Sequence, residues 1–160
     1  MTVQIEAFDR QQISTILRIP YALVKNWSTG RPLSIQPSIH APSQRGKQSL
    51  YSREDVYRFA LAQFWAERGM NFAAIAELLS HLKSEWLSTK ARGTLLVVQL
   101  TDATRLVHFP RNAEVKAMEH AEQLLDSRKK DGDMFHVLRL GNILDEVDEK
   151  IKAAKGTQGQ

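Results

Sequence analysis

The chain has 160 residues, contains no cysteine and carries a formal net charge of +4. The missing cysteines exclude disulfides, thiolate zinc sites, iron–sulfur clusters and cysteine nucleophiles, and the length suits one domain or two small ones. No apolar run reaches the roughly twenty residues that a membrane span needs, and residues 1–10 lack the features of a signal peptide, so we expect no membrane partner and a cytoplasmic location.

The positive charge is concentrated in the first third of the chain. Residues 11–52 include no Asp or Glu. The cations in and beside this stretch are Arg10, Arg18, Lys25, Arg31, Arg45, Lys47 and Arg53. A polyanion is attracted to such a surface through counterion release, whereas a solvated basic loop would have the same composition. The predicted elements decide between these two interpretations.

Two short helices are predicted first. Asp9 can cap a helix over residues 8–17, and Pro20 is typical of the first turn of a second helix that ends at about Trp27. The apolar residues expected to face inward are Ile13, Ile16, Leu17, Leu23 and Val24. The result is a pair of helices joined by a tight turn.

The next segment, residues 28–50, is rich in Gly, Pro, Ser and Gln. This composition breaks helices but permits a short hairpin, so we interpret the segment as a wing. A third helix is predicted to begin at Ser52, which can form a capping box with Asp55, and to end at Gly69. Asn71 can then cap a fourth helix that continues to about residue 87.

The second half of the chain has a different pattern. Short β-branched or alternating runs predict strands, and spacings of three and four residues predict helices. The predicted elements are strands at 95–100 and 105–109, a helix at 112–129, a strand at 135–140 and a helix at 143–154. In the first of these helices the residues expected to face inward are Val115, Met118, Ala121, Leu124 and Leu125.

The order helix, turn, helix, wing, followed by LYSREDVYRFALAQFWAERGMNFAAIAELL, resembles the MerR family of transcriptional regulators. The residues that match the family's third-helix start are Leu50, Tyr51, Ser52, Glu54, Asp55 and Val56. Those that match its glycine, cap and following helix are Arg68, Gly69, Met70, Asn71, Phe72, Ile75, Leu78 and Leu79. The resemblance covers residues 8–82. It implies a MerR-like winged helix-turn-helix. Together with the pattern of the second half, this predicts an α+β protein in which the winged helix-turn-helix is followed by a small β-β-α-β-α domain.

The resemblance implies that the second helix enters the major groove of DNA and that the wing and the third-helix start contact phosphates. The candidate DNA-binding residues are Arg18, Tyr21, Lys25, Asn26, Trp27, Arg45, Lys47, Tyr51 and Arg53. Asn26 is expected to read adenine, and Lys25 a guanine edge or a phosphate. Two alternatives stay open: Trp27 packs in the domain core, and Arg45 and Lys47 belong to a solvated loop.

The chain departs from the family in two ways. Its wing is several residues longer than is usual, and the long helix that forms the family's coiled-coil dimer cannot extend here beyond about Arg92. We therefore predict a MerR-like DNA-binding domain at 1–87, a small α/β dimerisation or sensing domain at 93–154 and a flexible tail at 155–160. The resemblance also implies a homodimer, since members of the family act as dimers on palindromic sites with two half-sites.

No set of residues predicts an enzyme, a metal site or a cofactor. The histidines His81, His108, His120 and His136 are scattered, although His108 and His136 come close if their strands pair. Asp131 and Asp133 flank a turn glycine, and there is no Gly-rich phosphate loop or nucleophile elbow. These observations favour a binding protein.

Two classes of function remain. The first is a bacterial, nucleoid-associated transcriptional regulator that binds an inverted repeat as a dimer, with a small-molecule or protein effector whose existence stays open. The alternative is an architectural, partition or excisionase-like DNA-binding accessory protein without an effector. A third interpretation, compatible with both, makes the C-terminal half a protein-interaction module.

Overall fold

The computed structural model describes residues 6–39, 48–100, 104–127 and 134–159. The helices and strands in these residues are α1 (Arg10–Leu17), α2 (Tyr21–Ser28), α3 (Arg53–Glu67), α4 (Phe72–His81), α5 (Ser84–Leu87), β1 (Thr94–Gln99), β2 (Thr104–Phe109), α6 (Glu114–Ser127), β3 (Met134–Leu138) and α7 (Leu140–Gln158). The predicted α+β class is confirmed, and the β-β-α-β-α order of the second half is β1, β2, α6, β3 and α7.

Two compact units make up the chain. The first comprises Met1–Ala76 together with Glu146–Gln160, and the second comprises Glu77–Asp145. The boundaries predicted from the sequence, 1–87, 93–154 and a tail at 155–160, divide the chain at other places. The largest difference concerns the C-terminal residues, which the sequence pattern assigned to the second domain and the tail.

Hydrogen-bonded capping boxes begin α1 and α3, as the sequence predicts. Asp9 and Gln12 form a capping box at α1, each accepting from the other's backbone N–H at 2.8 Å. Ser52 and Asp55 form a second capping box at α3. Gly69, with a φ of 78°, follows α3 in the left-handed region that glycine adopts without strain.

The turn between α1 and α2 is held by two hydrogen bonds between the same residues. The Ser14 hydroxyl donates to the Ile19 carbonyl at 2.6 Å, and the Ile19 N–H donates to the Ser14 carbonyl at 3.1 Å. Arg18 adopts a left-handed φ of 54° to close α1. These two hydrogen bonds fix the conformation of the turn, and the turn fixes the direction of α2 relative to α1.

The wing is described only at its base, because residues 40–47 lie outside the described residues. Ile39 N–H donates to the Leu50 carbonyl at 3.3 Å, and Phe8 and Tyr51 form an isolated antiparallel bridge. The buried Asp55 carboxylate also accepts from the Ser38 N–H at 3.0 Å. In the described part of the wing no β-ladder forms. These contacts, together with hydrogen bonds of the Ser38 hydroxyl to Asp55 and Ser52, anchor its base beside α3.

The core of the first unit lies between α1, α2 and α3. Its fully buried members include Ile13, Val24, Tyr51, Phe59, Leu61 and Ile75. The prediction that Leu23 faces inward is wrong, because its side chain is 39% exposed. Val24 and Trp27 form the inward stripe of α2, and Leu23 precedes that stripe by about 100° of helical rotation.

The second unit contains a three-stranded antiparallel sheet in the order β2-β1-β3. α6 packs on one face, where Leu96, Val98 and Ala121 form a buried cluster. The predicted inward positions Val115 and Met118 are wrong, because these side chains are 70% and 50% exposed. Ala117 and Ala121 bring the helix close to the sheet instead, which rotates Val115 and Met118 away from it.

His108 on β2 lies on the opposite face of this sheet. Its ring stacks on Trp86 with a centroid distance of 5.1 Å. Burial lowers the pKa of His108, so the imidazole is neutral near pH 7. His136 is not its neighbour, because β1 lies between β2 and β3. In the described part of the chain, no three His, Asp or Glu side chains are grouped so as to hold a metal ion.

The last helix is longer than predicted. α7 continues to Gln158. The prediction of a flexible tail that begins at residue 155 is therefore wrong for residues 155–158, which are helical. Ile151 is 1% exposed and Lys155 pairs with Glu6, and these contacts stabilise the added turns within the first unit. None of the helices in the described residues is long and apolar enough to cross a membrane.

Candidate nucleic-acid interface

The outward side of α2 brings together three of the residues predicted to bind DNA. Val24, Trp27 and Ser28 are buried against the first unit. Tyr21, Ala22, Lys25, Asn26 and Thr29 lie along the opposite side at helical spacing, and we call these five residues the α2 face. Tyr21, Lys25 and Asn26 are therefore neighbours on one surface.

The polar groups of the α2 face are available to a ligand. The Tyr21 side chain is 46% exposed, and Lys25 is exposed one turn further along the helix. Within the described residues the side-chain amide of Asn26 has no hydrogen bond, although its backbone carbonyl accepts from Thr29 and Arg31. An amide can donate and accept in the bidentate geometry that adenine offers in the major groove.

Two further cations lie beside the α2 face along the chain. Arg18, a predicted DNA ligand, is exposed in the turn before α2. Arg31 is exposed just after α2, and the sequence analysis included it in the acid-free stretch without selecting it as a ligand. Neither guanidinium has an ion pair among the described residues. Their position before and after the helix suits contacts with phosphates on the two sides of a groove.

Trp27 occupies the core and not the interface. Its side chain is 3% exposed and its ring contacts Phe72 edge-on, with a centroid distance of 6.3 Å. With so little of the residue at the surface, the prediction of a direct DNA contact is wrong and the core alternative holds. The indole Nε1 is buried and has no hydrogen-bond partner among the described groups.

Tyr51 is also placed in the core. Its side chain is fully buried and packs edge-on against Phe59 with a centroid distance of 5.7 Å. The hydroxyl accepts a hydrogen bond from Arg10 Nε at 3.3 Å. A phosphate cannot reach this hydroxyl while Tyr51 is buried, so the predicted DNA contact of Tyr51 is wrong.

Arg53 is engaged by two carboxylates of the first unit. Its Nε and Nη2 donate to the two oxygens of Glu6 at 2.6 and 2.9 Å, and its Nη1 donates to Asp148 Oδ1 at 2.7 Å. The hydrogen bond between Arg53 and Glu6 lowers the pKa of the Glu6 carboxyl and raises the pKa of the Arg53 guanidinium. Both groups therefore stay charged. Tyr57 and Lys155 donate to the same carboxylates. Arg53 therefore joins the N-terminal segment, α3 and α7.

We expect Arg53→Met to lower the free energy of unfolding of the first unit by about 1–2 kcal/mol. The change removes three charge-assisted hydrogen bonds, although the 36% exposure of Arg53 limits their strength. The salt dependence of DNA affinity should stay as in the wild type, whereas Lys25→Met should reduce its slope by about 0.9. Urea unfolding and DNA titrations at several salt concentrations test this. A reduced slope for Arg53→Met with unchanged stability would make Arg53 a phosphate ligand instead.

The remaining predicted ligands, Arg45 and Lys47, lie outside the described residues. The structure thus groups Arg18, Tyr21, Lys25 and Asn26 around α2, places Trp27 and Tyr51 in the core, and gives Arg53 partners within the unit. Arg31 and Leu23 are also exposed at or beside α2, although neither was predicted to bind DNA. The acid-free composition could have identified Arg31, whereas the exposure of Leu23 follows only from the rotation of α2.

Comparison with known proteins found a similarity in the N-terminal part of the chain. Residues 11–82 match the family model described as MerR HTH family regulatory protein. The match includes α1, α2, α3 and α4 and covers a little under half of the chain. No curated protein matches the chain. The N-terminal part therefore contains a MerR-family helix-turn-helix, as the sequence analysis predicts.

Proposed function

Because residues 11–82 carry a MerR-family helix-turn-helix, which implies a DNA-binding regulator, we propose that this protein binds double-stranded DNA sequence-specifically as a homodimer on an inverted repeat. The observation that carries the proposal is the α2 face, where the Asn26 amide, which has no hydrogen bond within the described residues, lies beside the exposed Lys25 ammonium. We propose a binding function and no catalytic one, with transcription regulation at the bacterial nucleoid as its role.

Sequence specificity is supported by the chemistry of α2. Asn26 can form two hydrogen bonds with adenine, and each such pair discriminates against the wrong base by about 1–3 kcal/mol. The small side chain of Ala22 lets the helix approach the base edges closely. Lys25, Arg18 and Arg31 supply the positive charge that releases counterions from the duplex.

A homodimer is supported by the reach of a single α2. Eight residues of helix span about 12 Å, which corresponds to roughly four base pairs. A sequence of so few base pairs occurs many times in a genome and does not specify one site. Two copies of the protein on an inverted repeat contact twice as many base pairs. The second unit exposes Val115, Met118 and Val137, which are apolar side chains available for pairing.

The experiment that tests the proposal is selection of bound fragments from the source genome and from a random duplex pool at about physiological salt, followed by the mass of the complex. An inverted repeat bound by two chains is the expected result. Binding without a motif, growing with DNA length and strongly reduced by salt, would favour the architectural alternative. No binding to any duplex would contradict both.

Within the α2 face, Asn26→Ala and Lys25→Ala should have different consequences. Asn26→Ala should lower the preference for the selected site by about 5-fold to 100-fold, because it removes a base contact while nonspecific binding persists. Lys25→Ala should weaken binding to every duplex and reduce the salt slope by about 0.9 if its ammonium contacts a phosphate. Lys116→Ala, an exposed cation on α6, is the matched control and should change neither quantity. Equal behaviour of all three variants would contradict the assignment of the α2 face.

A further inference from the structure

A cavity of about 510 Å³ lies in the first unit between α1 and the last turns of α7. Ligand-binding cavities of proteins have volumes of about 300–1,000 Å³, so this one could hold a molecule of drug-like size. Phe8, Ile16, Ile151 and Ala154 supply apolar surface, and Gln11 and Lys155 add polar groups. The α2 face is formed by other residues, so the cavity is separate from the candidate DNA interface.

The apolar wall of the cavity is held in place by several contacts. Phe8 is 4% exposed and forms two backbone hydrogen bonds with Tyr51, at 2.9 and 2.8 Å. The capping box of Asp9 and Gln12 holds the start of α1. Ile16 and Ile151 are nearly buried on the facing helices. A ligand would therefore enter a preformed cavity, which lowers the entropic cost of binding.

The polar groups of the cavity define the kind of ligand. Among the described residues that line it, Lys155 is the only charged one. Its ammonium has three donors, and the Glu6 contact occupies one of them. Arg53 also donates two hydrogen bonds to Glu6. The charge of the Glu6 carboxylate is therefore compensated by Arg53 as well as by Lys155. The remaining N–H groups of the ammonium can donate hydrogen bonds to an anion.

We propose that this cavity binds a small amphipathic acid, with its apolar body between α1 and α7 and its single anionic group at Lys155. The proposal rests on the cavity and its lining residues and does not require DNA binding. Medium-chain or aromatic monocarboxylates have the required chemistry, namely one acid group on an apolar body. The Gln11 amide, exposed at the cavity, can supply a second hydrogen bond to the acid group.

Two fluorescent probes test the proposal on the full chain. 8-Anilinonaphthalene-1-sulfonate has an apolar body with one anionic group, and N-phenyl-1-naphthylamine has a similar body without charge. We expect the sulfonate to bind with one site per chain and to be displaced by decanoate. Lys155→Met should weaken sulfonate binding at least about fivefold and leave the neutral probe within about twofold, because only the charged probe uses the ammonium.

A pair of adjacent substitutions in α7 tests the location of the site. Ala154→Phe fills the cavity and should weaken both probes about tenfold or more. Ala153→Phe places the same side chain at the neighbouring exposed position and should leave binding within about twofold. Circular dichroism and thermal unfolding confirm that each variant is folded, and Lys155→Met provides an independent test if Ala154→Phe is not.

Three results would overturn the proposal. The first is no saturable binding of the sulfonate by the wild type. The second is equal binding by the wild type and Ala154→Phe, or equal loss in Ala153→Phe and Ala154→Phe, since the probe would then bind elsewhere or respond to unfolding. The third is a sulfonate affinity that Lys155→Met leaves unchanged, which would contradict the anionic class of ligand.

Discussion

Gly93→Ala should destabilise the second unit by about 3 kcal/mol or more. A Cβ at this position would lie 2.0 Å from the Phe109 carbonyl oxygen, 2.6 Å from the Pro110 carbonyl carbon and 2.9 Å from the Arg111 nitrogen. All three are backbone atoms, so no side-chain rotation can relieve the overlap. The Gly93 carbonyl also accepts a hydrogen bond from the Gly141 N–H at 3.0 Å, which ties the start of β1 to α7. The alanine variant must therefore separate the start of β1 from the end of β2.

Gly141→Ala is the matched control for this substitution. Its added Cβ would lie 3.7 Å from the nearest atom, the Arg92 Cβ, which is an ordinary packing distance. Gly141 is in the first turn of α7, where alanine forms helix more readily, so we expect the stability to stay the same or rise by up to about 1 kcal/mol. Urea unfolding and amide exchange of β1 would measure both variants. Equal stability of Gly93→Ala and the wild type would contradict the close approach of these backbones.

Trp27→Ala should destabilise the first unit by about 3–5 kcal/mol, because it leaves a large cavity beneath α2. The ring is 3% exposed and packs edge-on against Phe72. Trp27→Phe should cost only about 1–2 kcal/mol, since it keeps an aromatic ring at this position. It also removes an indole N–H that has no partner among the described groups, so no hydrogen bond is lost.

DNA titration of Trp27→Phe separates a structural role from a contact. We expect the folded variant to bind its selected site within about twofold of the wild type, because the indole does not reach the surface. Unfolding curves measured on the same samples show whether a change in binding reflects the loss of folded protein. A tenfold loss of affinity in a variant that is fully folded would contradict the placement of Trp27 in the core alone.

The order of the elements could be predicted from the sequence because their signals are local. Asp9, Ser52 and Asn71 cap helices within three residues of their partners, and Gly69 ends a helix through its own φ. The two strands of the predicted hairpin also lie close together in the chain. Each of these signals depends on neighbouring residues, so a single sequence is sufficient to detect them.

The rotation of a helix about its axis could not be predicted in the same way. α6 has apolar residues on more than one side, and only contact with the sheet selects Ala117 and Ala121 over Val115 and Met118. In α2, the burial of Val24 and Trp27 similarly turns Leu23 outward. The choice depends on which surface the helix meets, and this is a tertiary property.

The residues of the candidate site also differ in whether local sequence could predict their positions. Tyr21, Lys25 and Asn26 share a surface because helical spacing brings them together, and the sequence contains this information. Tyr51 and Arg53 were assigned to DNA from the family pattern, but their surroundings come from distant parts of the chain. One of the two carboxylates that pair with Arg53, that of Asp148, is 95 positions away in the sequence. No local pattern could have revealed this ion pair.

The first unit is built from the two ends of the described chain, with the second unit inserted between them in sequence. During synthesis on a ribosome, residues 77–145 emerge before α7 supplies Asp148, Ile151 and Lys155. The helix-turn-helix therefore completes its packing only after the whole inserted unit has been translated, and its long-range contacts make that step slow. A nascent or prematurely terminated chain would carry the α2 face on an incomplete scaffold, which would weaken the DNA binding that we propose for this face.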